Sequence, residues 1–271
     1  MNKFLPLTAL LLATAIPALG QAALPATNAW DQTAGDFVNT GLSKAGDGDL
    51  PLAIAYYTKA IELDTNYPSA YYFRGDARMD KGDVDDAIAD FTKVIELKPN
   101  DNVASAYNKR GSAKSGKGDV DGALADFNEA IKLAPDDALG YGNRGQARQA
   151  KGDLDGALAD FTKFIELRPR DMDGYGSRGI VRFGKGDYDG AIADFSKVIE
   201  LKPNLSDGYN NRGVSRQAKG DLPGALTDLN KALELNPGDA GIQKRIDDIK
   251  AALATAASTN APITNGVPAG Q

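Results

Sequence analysis

The stretch that decides the fold runs from residue 138 to residue 171 and reads ALGYGNRGQARQAKGDLDGALADFTKFIELRPRD. Its second half carries an apolar stripe at helical spacing, which consists of Ala157, Leu158, Phe161, Phe164 and Ile165. Between the halves, Gly152 is suited to end one helix, and Asp153 is suited to cap the start of the next. Pro169 ends the second helix, because proline lacks the backbone donor that a helix interior needs. The stretch therefore predicts two helices joined by a tight turn.

The same pattern recurs along most of the chain with a period of 34 residues. Gly-Asp pairs mark the period, and their glycines stand at positions 48, 82, 118, 152, 186 and 220. The single step of 36 residues reflects a two-residue insertion, Asn102-Val103. A fixed period of this length is the sequence signature of a solenoid, in which each repeat buries its apolar face against its neighbours. Six units follow: 34–67, 68–101, 104–137, 138–171, 172–205 and 206–239.

The segments that flank the repeats differ in composition. Residues 1–22 combine one basic residue with a short apolar run and small residues at the end, which predicts a secretory signal peptide. Residues 23–33 are interpreted as a lead-in whose Trp30 covers the first repeat, with a dimer contact as the alternative. The apolar stripe in residues 240–254 predicts a capping helix, and the uncharged tail 255–271 is predicted to be disordered. The predicted location is the periplasm or the extracellular space, without a lipid anchor or a membrane span.

The composition of the 271-residue chain excludes several classes of function. It contains no histidine and no cysteine, which excludes histidine- or cysteine-based nucleophilic sites, thiolate metal sites and disulfides. Its formal net charge is −6, whereas a nucleic-acid-binding surface is normally basic. The Gly-x-Gly-x-x-Gly strings at 140–145 and 174–179 lie inside predicted helices and not after a strand, so they do not indicate a nucleotide site. We therefore expect no catalytic residues, no metal, no cofactor and no nucleic-acid partner.

Each unit follows one pattern when its residues are numbered from 1 to 34. In residues 138–171, an aromatic stands at position 4, glycine at 8, alanine at 20, an aromatic at 24 and proline at 32 (Tyr141, Gly145, Ala157, Phe161 and Pro169). In this pattern the chain resembles the tetratricopeptide repeat (TPR) family over 206 of its 271 residues. The resemblance implies an all-α fold: a right-handed superhelical α-solenoid of six helix-turn-helix TPR units plus a C-terminal capping helix.

Two positions depart from the family pattern together. Position 7 is arginine and position 23 is aspartate in the second to sixth units, and the first unit has neither. Because they change together among internal copies, we predict that they face each other as a structural ion-pair ladder. A basic track for an anionic ligand is the functional alternative. The ladder pairs Arg74 with Asp90, Arg110 with Asp126, Arg144 with Asp160, Arg178 with Asp194, and Arg212 with Asp228.

Resemblance to the TPR family also implies a concave peptide groove lined by the first helix of each unit. The predicted groove is polar and rich in amides, which can hydrogen-bond an extended backbone with both donors and acceptors. Asp173, Ser177 and Asp207 share its face. The predicted peptide-groove residues are Tyr72, Phe73, Asp76, Asn108, Lys109, Asn143, Gln146, Gln149, Ile180, Phe183, Asn210, Asn211 and Gln217.

These features predict an exported, non-catalytic protein–protein interaction scaffold that binds an extended protein segment, such as an adaptor in cell-envelope assembly or turnover. The partner is expected to be a protein or peptide. Two alternatives stay open: a small-ligand or glycan binder or enzyme, and a structural homo-oligomer.

Overall fold

A computed structural model describes residues 33–97 and 102–259, and these residues are all-α. The predicted signal peptide, Trp30 and residues 260–271 lie outside them. The helices in the described residues are α1 (Ala34–Gly46), α2 (Leu50–Leu63), α3 (Pro68–Lys81), α4 (Val84–Leu97), α5 (Val103–Gly116), α6 (Val120–Leu133), α7 (Ala138–Lys151), α8 (Leu154–Leu167), α9 (Met172–Gly184), α10 (Tyr188–Leu201), α11 (Ser206–Lys219), α12 (Leu222–Leu235) and α13 (Ala240–Thr259).

Glycine and aspartate build the tight turn inside each helix pair, as predicted. Gly152 follows α7 with φ of 85°, a left-handed conformation that glycine adopts without steric cost. The carboxylate of Asp153 accepts a hydrogen bond from the backbone N–H of Gly156 at 2.9 Å and so caps α8. The equivalent glycines all have φ between 78° and 94°: Gly48, Gly82, Gly118, Gly186 and Gly220.

The chain forms two compact units, of which the first ends at Lys93. In the first unit α1 packs on α2, and α2 packs on α3. Its buried core contains Phe37, Val38, Ala53, Tyr56, Tyr57, Ala60, Ala70 and Ala77. The core is formed by the predicted aromatic and alanine positions together with their helical neighbours.

The second compact unit begins at Val94 and contains α5 to α13. Its helices contact their neighbours in chain order, which is the arrangement of an all-α solenoid. At its end, Ile242, Ile246 and Ile249 of α13 are buried in one cluster with Leu222 and Leu229 of α12. The apolar stripe of α13 therefore covers the last helix pair.

Close contact within a pair depends on the glycine at position 8. A Cβ atom built on Gly145 would lie 2.8 Å from Cε1 of Phe161, closer than real Cβ contacts come. Phe161 is 1% exposed, so it has no free space into which it can withdraw. The aromatic ring at position 24 thus fills the volume that glycine leaves empty.

One predicted boundary is wrong. The capping helix does not end at residue 254 but continues to Thr259, so the first five residues of the predicted disordered tail are helical. Alanine has the highest helix propensity, and the segment Ala251-Ala252-Leu253-Ala254 leads into this extension. Helix α5 begins at Val103, so the second residue of the two-residue insertion lies in this helix. Among the described residues, no helix is both long and apolar enough to span a membrane.

Candidate functional site

A buried aspartate on the second helix of a pair binds two basic side chains of the first helix. Arg178 donates hydrogen bonds from Nε and Nη2 to the Asp194 carboxylate at 3.0 and 2.7 Å. Arg182 donates a third from Nη1 at 2.9 Å. The Asp194 side chain is 3% exposed. The same arrangement recurs at Asp90, Asp126, Asp160 and Asp228, with Lys114 in place of the second arginine at Asp126.

The ladder arginine also reaches the preceding helix pair. Nη1 of Arg178 donates to Oγ1 of Thr162 on α8 at 3.2 Å, and its guanidinium carbon lies 5.9 Å from the centroid of the Tyr175 ring. In the last pair, the hydrogen bond to Asp228 raises the pKa of the Arg212 guanidinium. Because these arginines bind acceptors of the protein itself, the geometry favours a structural role over a basic track for a ligand.

A cleft of about 330 Å³ opens in the second compact unit, along the first helices of three successive pairs. The buried side chains of Phe195 and Val198 reach it from α10, and Ile180 of α9 lines it with 49% of its surface exposed. The complete lining is Gln146 of α7; Met172, Asp173, Gly176, Ser177 and Ile180 of α9; Phe195 and Val198 of α10; Leu205; and Asp207, Gly208 and Asn211 of α11. The cleft is therefore apolar at its base and polar at its edges.

The combination of a glycine and a small apolar side chain, Gly176 and Val198, explains why the cleft lies at this helix pair. Position 5 is glycine twice in succession, at Gly142 and Gly176. A Cβ atom built on Gly142 would lie 3.0 Å from Cδ2 of Phe164. A Cβ atom built on Gly176 would have more room, because the nearest atom outside its own helix backbone is Cγ2 of Val198 at 4.0 Å. Phe164 and Val198 occupy the same repeat position, 27. The smaller valine leaves open a space that the phenyl ring fills one pair earlier.

The charged residues in the lining of this cleft are two carboxylates. Asp173 and Asp207 stand in the first turns of α9 and α11, and both are exposed. Within the described residues neither carboxylate forms an ion pair. A neighbouring hollow of about 440 Å³ shares Met172 and Asp173 with the cleft and carries Asp171, Arg170 and Lys202, together with Leu201. The described part of the chain contains no group of three or more carboxylates placed to hold a metal ion.

Comparison with known proteins identifies the repeat. Models of the family match residues 38–102 and 138–171 as "Tetratricopeptide repeat", and residues 116–152 and 179–220 as "TPR repeat". Together the matches cover more than half of the chain. The chain belongs to the tetratricopeptide repeat family. A search of the curated proteins returned no match.

Solved TPR structures resemble this chain at different levels of identity. The crystal structure of MamA shares 30% identity, covers 60% of this chain and 94% of that chain, and has a TM-score of 0.56. YrrB, described as a TPR protein with an unusual peptide-binding site, shares 23% identity, covers 71% and 97% of the two chains, and has a TM-score of 0.60. PilW, described as a widely conserved type IV pilus biogenesis factor, shares 17% identity, covers 79% and 98%, and has a TM-score of 0.69. The last two likenesses concern the fold alone.

The structure brings some of the predicted groove residues of this TPR chain together in the cleft. Gln146, Ile180 and Asn211 line it, beside Asp173, Ser177 and Asp207. The remaining groove residues of the second compact unit do not line it: Asn108, Lys109, Asn143, Gln149, Phe183, Asn210 and Gln217.

Phe183 and Asn108 contact neighbouring residues of the chain. Phe183 packs on Tyr188 of α10, with ring centroids 5.5 Å apart. Asn108 is 8% exposed, and its Nδ2 lies 3.4 Å from the carboxylate of Asp137. Its side-chain oxygen is buried without a hydrogen-bond partner among the described residues. Asn108 is therefore a buried polar residue and not an open groove residue.

The predicted groove residues of the first compact unit form an aromatic cluster. Phe73 stacks on Tyr57 with ring centroids 6.1 Å apart, and Tyr72 meets the Phe73 ring edge-on at 5.5 Å. Tyr72 also lies 5.9 Å from Phe91. Burial raises the pKa of Tyr57 to about 12, and the charge of Asp76 contributes to the same shift.

Sequence reasoning missed the base of the cleft. Phe195 and Val198 belong to a second helix, whereas the predicted groove used first-helix positions only. The change from Phe164 to Val198 at position 27, next to a second glycine at position 5, was the signal that could have located the site.

Proposed function

We propose that this TPR protein is a non-catalytic scaffold that binds an extended segment of a partner protein in the cleft along α7, α9 and α11. The observation that carries the proposal is the exposed Ile180 side chain beside the apolar base of the cleft, with polar residues at the edges. A concave surface with an apolar base and a few polar groups at its edges is typical of a binding site. Gln146 and Asn211 supply amide donors and acceptors for an extended backbone. The peptide-binding site ascribed to YrrB supports the same mode of action.

We further propose that the protein acts in the cell envelope after export. The basic and apolar start of residues 1–22 supports this location, as does the likeness to a pilus biogenesis factor. Fractionation of the source cells, followed by mass spectrometry of the protein's N-terminus, tests it. We expect an envelope-soluble fraction and a chain that begins after Gly20 or Ala22. A cytoplasmic chain that retains residues 1–22 would refute export.

Site-specific crosslinking tests partner binding. A photo-reactive benzoyl-phenylalanine replaces Ser177 in the cleft, and a control variant carries it at the exposed Asn230 of α12. Irradiation in the source cells should join the Ser177 variant to a discrete protein, which mass spectrometry identifies, and the control should form no such product. Equal crosslinking from both positions, or none from either, would count against this cleft as the binding surface.

A further inference from the structure

We propose that the cleft selects cationic segments: an extended peptide in which an apolar side chain enters the space above Val198 while flanking lysine or arginine residues pair with Asp173 and Asp207. The inference rests on the proposed function, since it names the class of peptide that the same site takes.

The cleft has room for an apolar side chain. Gly176 has no side chain, and the Val198 methyl group lies 4.0 Å from where its Cβ would be, so the cleft has an opening beside Ile180. Phe195 and Val198 are 3% and 5% exposed, which places an apolar surface at its base. An aliphatic side chain of a ligand would replace water on this surface, and burial of such a side chain is favourable.

The edges of the cleft carry negative charge. Asp173 and Asp207 are the charged residues among the described residues that line the cleft, and they give it two negative charges. Many other acidic side chains of the solenoid already have partners: Asp121 pairs with Lys151 at 2.6 Å, Asp155 pairs with Lys185, and Asp189 pairs with Lys219. Asp173 and Asp207 have no such partner among the described residues, so a basic ligand side chain meets no competing cation in the cleft.

The neighbouring hollow contains basic residues, which the described lining of the cleft does not. It carries Arg170 and Lys202, which would attract an acidic segment, but it also carries Asp171 and shares Asp173 with the cleft. The carboxylate of Asp171 is further engaged, because it accepts the N–H of Asp173 at 3.0 Å. Among the described residues, the cleft is lined by Asp207 as well and by no basic residue, and it has an apolar base; for that reason the cationic segment is the stronger inference.

Peptide binding by fluorescence anisotropy tests the proposal with the purified full-length protein. The probes are a series of labelled peptides with one central leucine and one lysine on each side of it. Alanine fills the positions between, so that each lysine stands two to five residues from the leucine. Matched peptides carry glutamate or glutamine in place of lysine. We expect the best lysine peptide to bind about 10-fold tighter than the glutamate peptide, since each exposed ion pair contributes about 0.2–1 kcal/mol. The difference should shrink in high salt, because exposed charges are screened.

Two variants separate the charge and the volume contributions. Asp173→Asn combined with Asp207→Asn should remove the preference for lysine, while a control variant, Asp80→Asn with Asp136→Asn, alters two exposed carboxylates outside the cleft and should keep it. Val198→Phe should abolish binding of every peptide. It reproduces the Gly142–Phe164 combination of the preceding pair, so the chain itself shows that this side chain fits beside glycine.

Each outcome decides a different claim. Equal or tighter binding of the glutamate peptide, or a lysine preference that survives in the Asp173→Asn/Asp207→Asn variant, would overturn the cationic inference and leave peptide binding intact. If no peptide of the lysine, glutamate or glutamine series binds, and Ser177 forms no crosslink, both proposals are overturned. If Val198→Phe instead halves the molar mass measured by light scattering, the cleft holds a second copy of the chain, and the cationic-peptide proposal fails.

Discussion

Removal of one ladder aspartate should destabilise the protein strongly, and Asp160→Ala is the sharpest case. The Asp160 carboxylate accepts hydrogen bonds from Nε and Nη2 of Arg144 at 3.0 and 2.6 Å and from Nη1 of Arg148 at 2.9 Å. The side chains of these arginines are only 16% and 27% exposed. The substitution therefore leaves the poorly solvated guanidinium of Arg144 without a counter-ion, whereas Arg148 keeps its ion pair with Asp153 at 3.6 Å.

The expected loss in the free energy of unfolding follows from the burial of these charged groups. Removal of one partner from a buried ion pair costs about 3–5 kcal/mol, because the remaining charge is uncompensated. Part of the Arg144 side chain keeps its contacts, since Nη1 still donates to Oδ1 of Asn128 at 2.7 Å and the guanidinium lies over the Tyr141 ring. We therefore expect a value near the lower end, about 3 kcal/mol, which is a large share of the stability of a typical domain.

Urea denaturation measures the free energy of unfolding, and hydrogen exchange shows which helices open. Exchange in α7 and α8 should accelerate more than in α11 and α12, because repeats are stabilised mainly by their nearest neighbours. Glu166→Ala is the control on the same helix: it removes an exposed pair with Lys163 and should cost about 0.5 kcal/mol or less. The double variant Arg144→Ala/Asp160→Ala should lose much less free energy of unfolding than the sum of the losses in the two single variants. An Asp160→Ala variant within about 1 kcal/mol of the Glu166→Ala control would refute the ladder's structural role.

Three further predictions concern the helix interiors. Gly176→Ala should stabilise the protein by about 0.5–1 kcal/mol in urea denaturation, whereas Gly142→Ala should not, because its Cβ would lie 3.0 Å from the Phe164 ring; equal gains would contradict the packing argument. The raised pKa of Tyr57, about 12 against about 10 in the unfolded chain, favours the neutral form in the fold, so stability is lost as pH rises from 10 towards 12. Between pH 9 and pH 11 the free energy of unfolding of the wild type should fall by about 1 kcal/mol more than that of Tyr57→Phe. Equal losses in the two proteins would refute this linkage. Finally, α9 contains four glycines in 13 residues and should exchange its amide protons faster than α5; slower exchange would show that packing outweighs helix propensity.

Much of the fold could be predicted because its determinants are local. Gly152 and Asp153 mark a turn by their own conformational preferences, and the turn recurs at a fixed period. The pairing of arginine with aspartate was also readable, because internal copies vary together at these two positions. Neither inference required knowledge of how distant residues pack.

The site was harder to predict because it depends on packing. Asn108 at repeat position 5 is buried, and so is the side-chain oxygen of Asn210 at the same position, whereas Asn211 at position 6 lines the cleft. The difference is set by neighbouring helices, which a one-dimensional pattern of first-helix positions does not include. The base of the cleft likewise depends on Val198, a second-helix residue whose size matters only beside Gly176.

The feature that opens the cleft should also couple ligand binding to the stability of α9. Gly176 leaves space for a ligand and at the same time lowers the helix propensity of the segment that binds it. A ligand that binds the folded state alone stabilises it by about 2.7 kcal/mol at a concentration 100 times its Kd, which exceeds the glycine penalty of about 1 kcal/mol. Saturation with the lysine–leucine peptide should therefore slow hydrogen exchange in α9 and α11, with little effect on α1 and α2. Uniform protection of all helices, or none in α9, would contradict the view that relaxed packing at this pair and ligand binding share one cause.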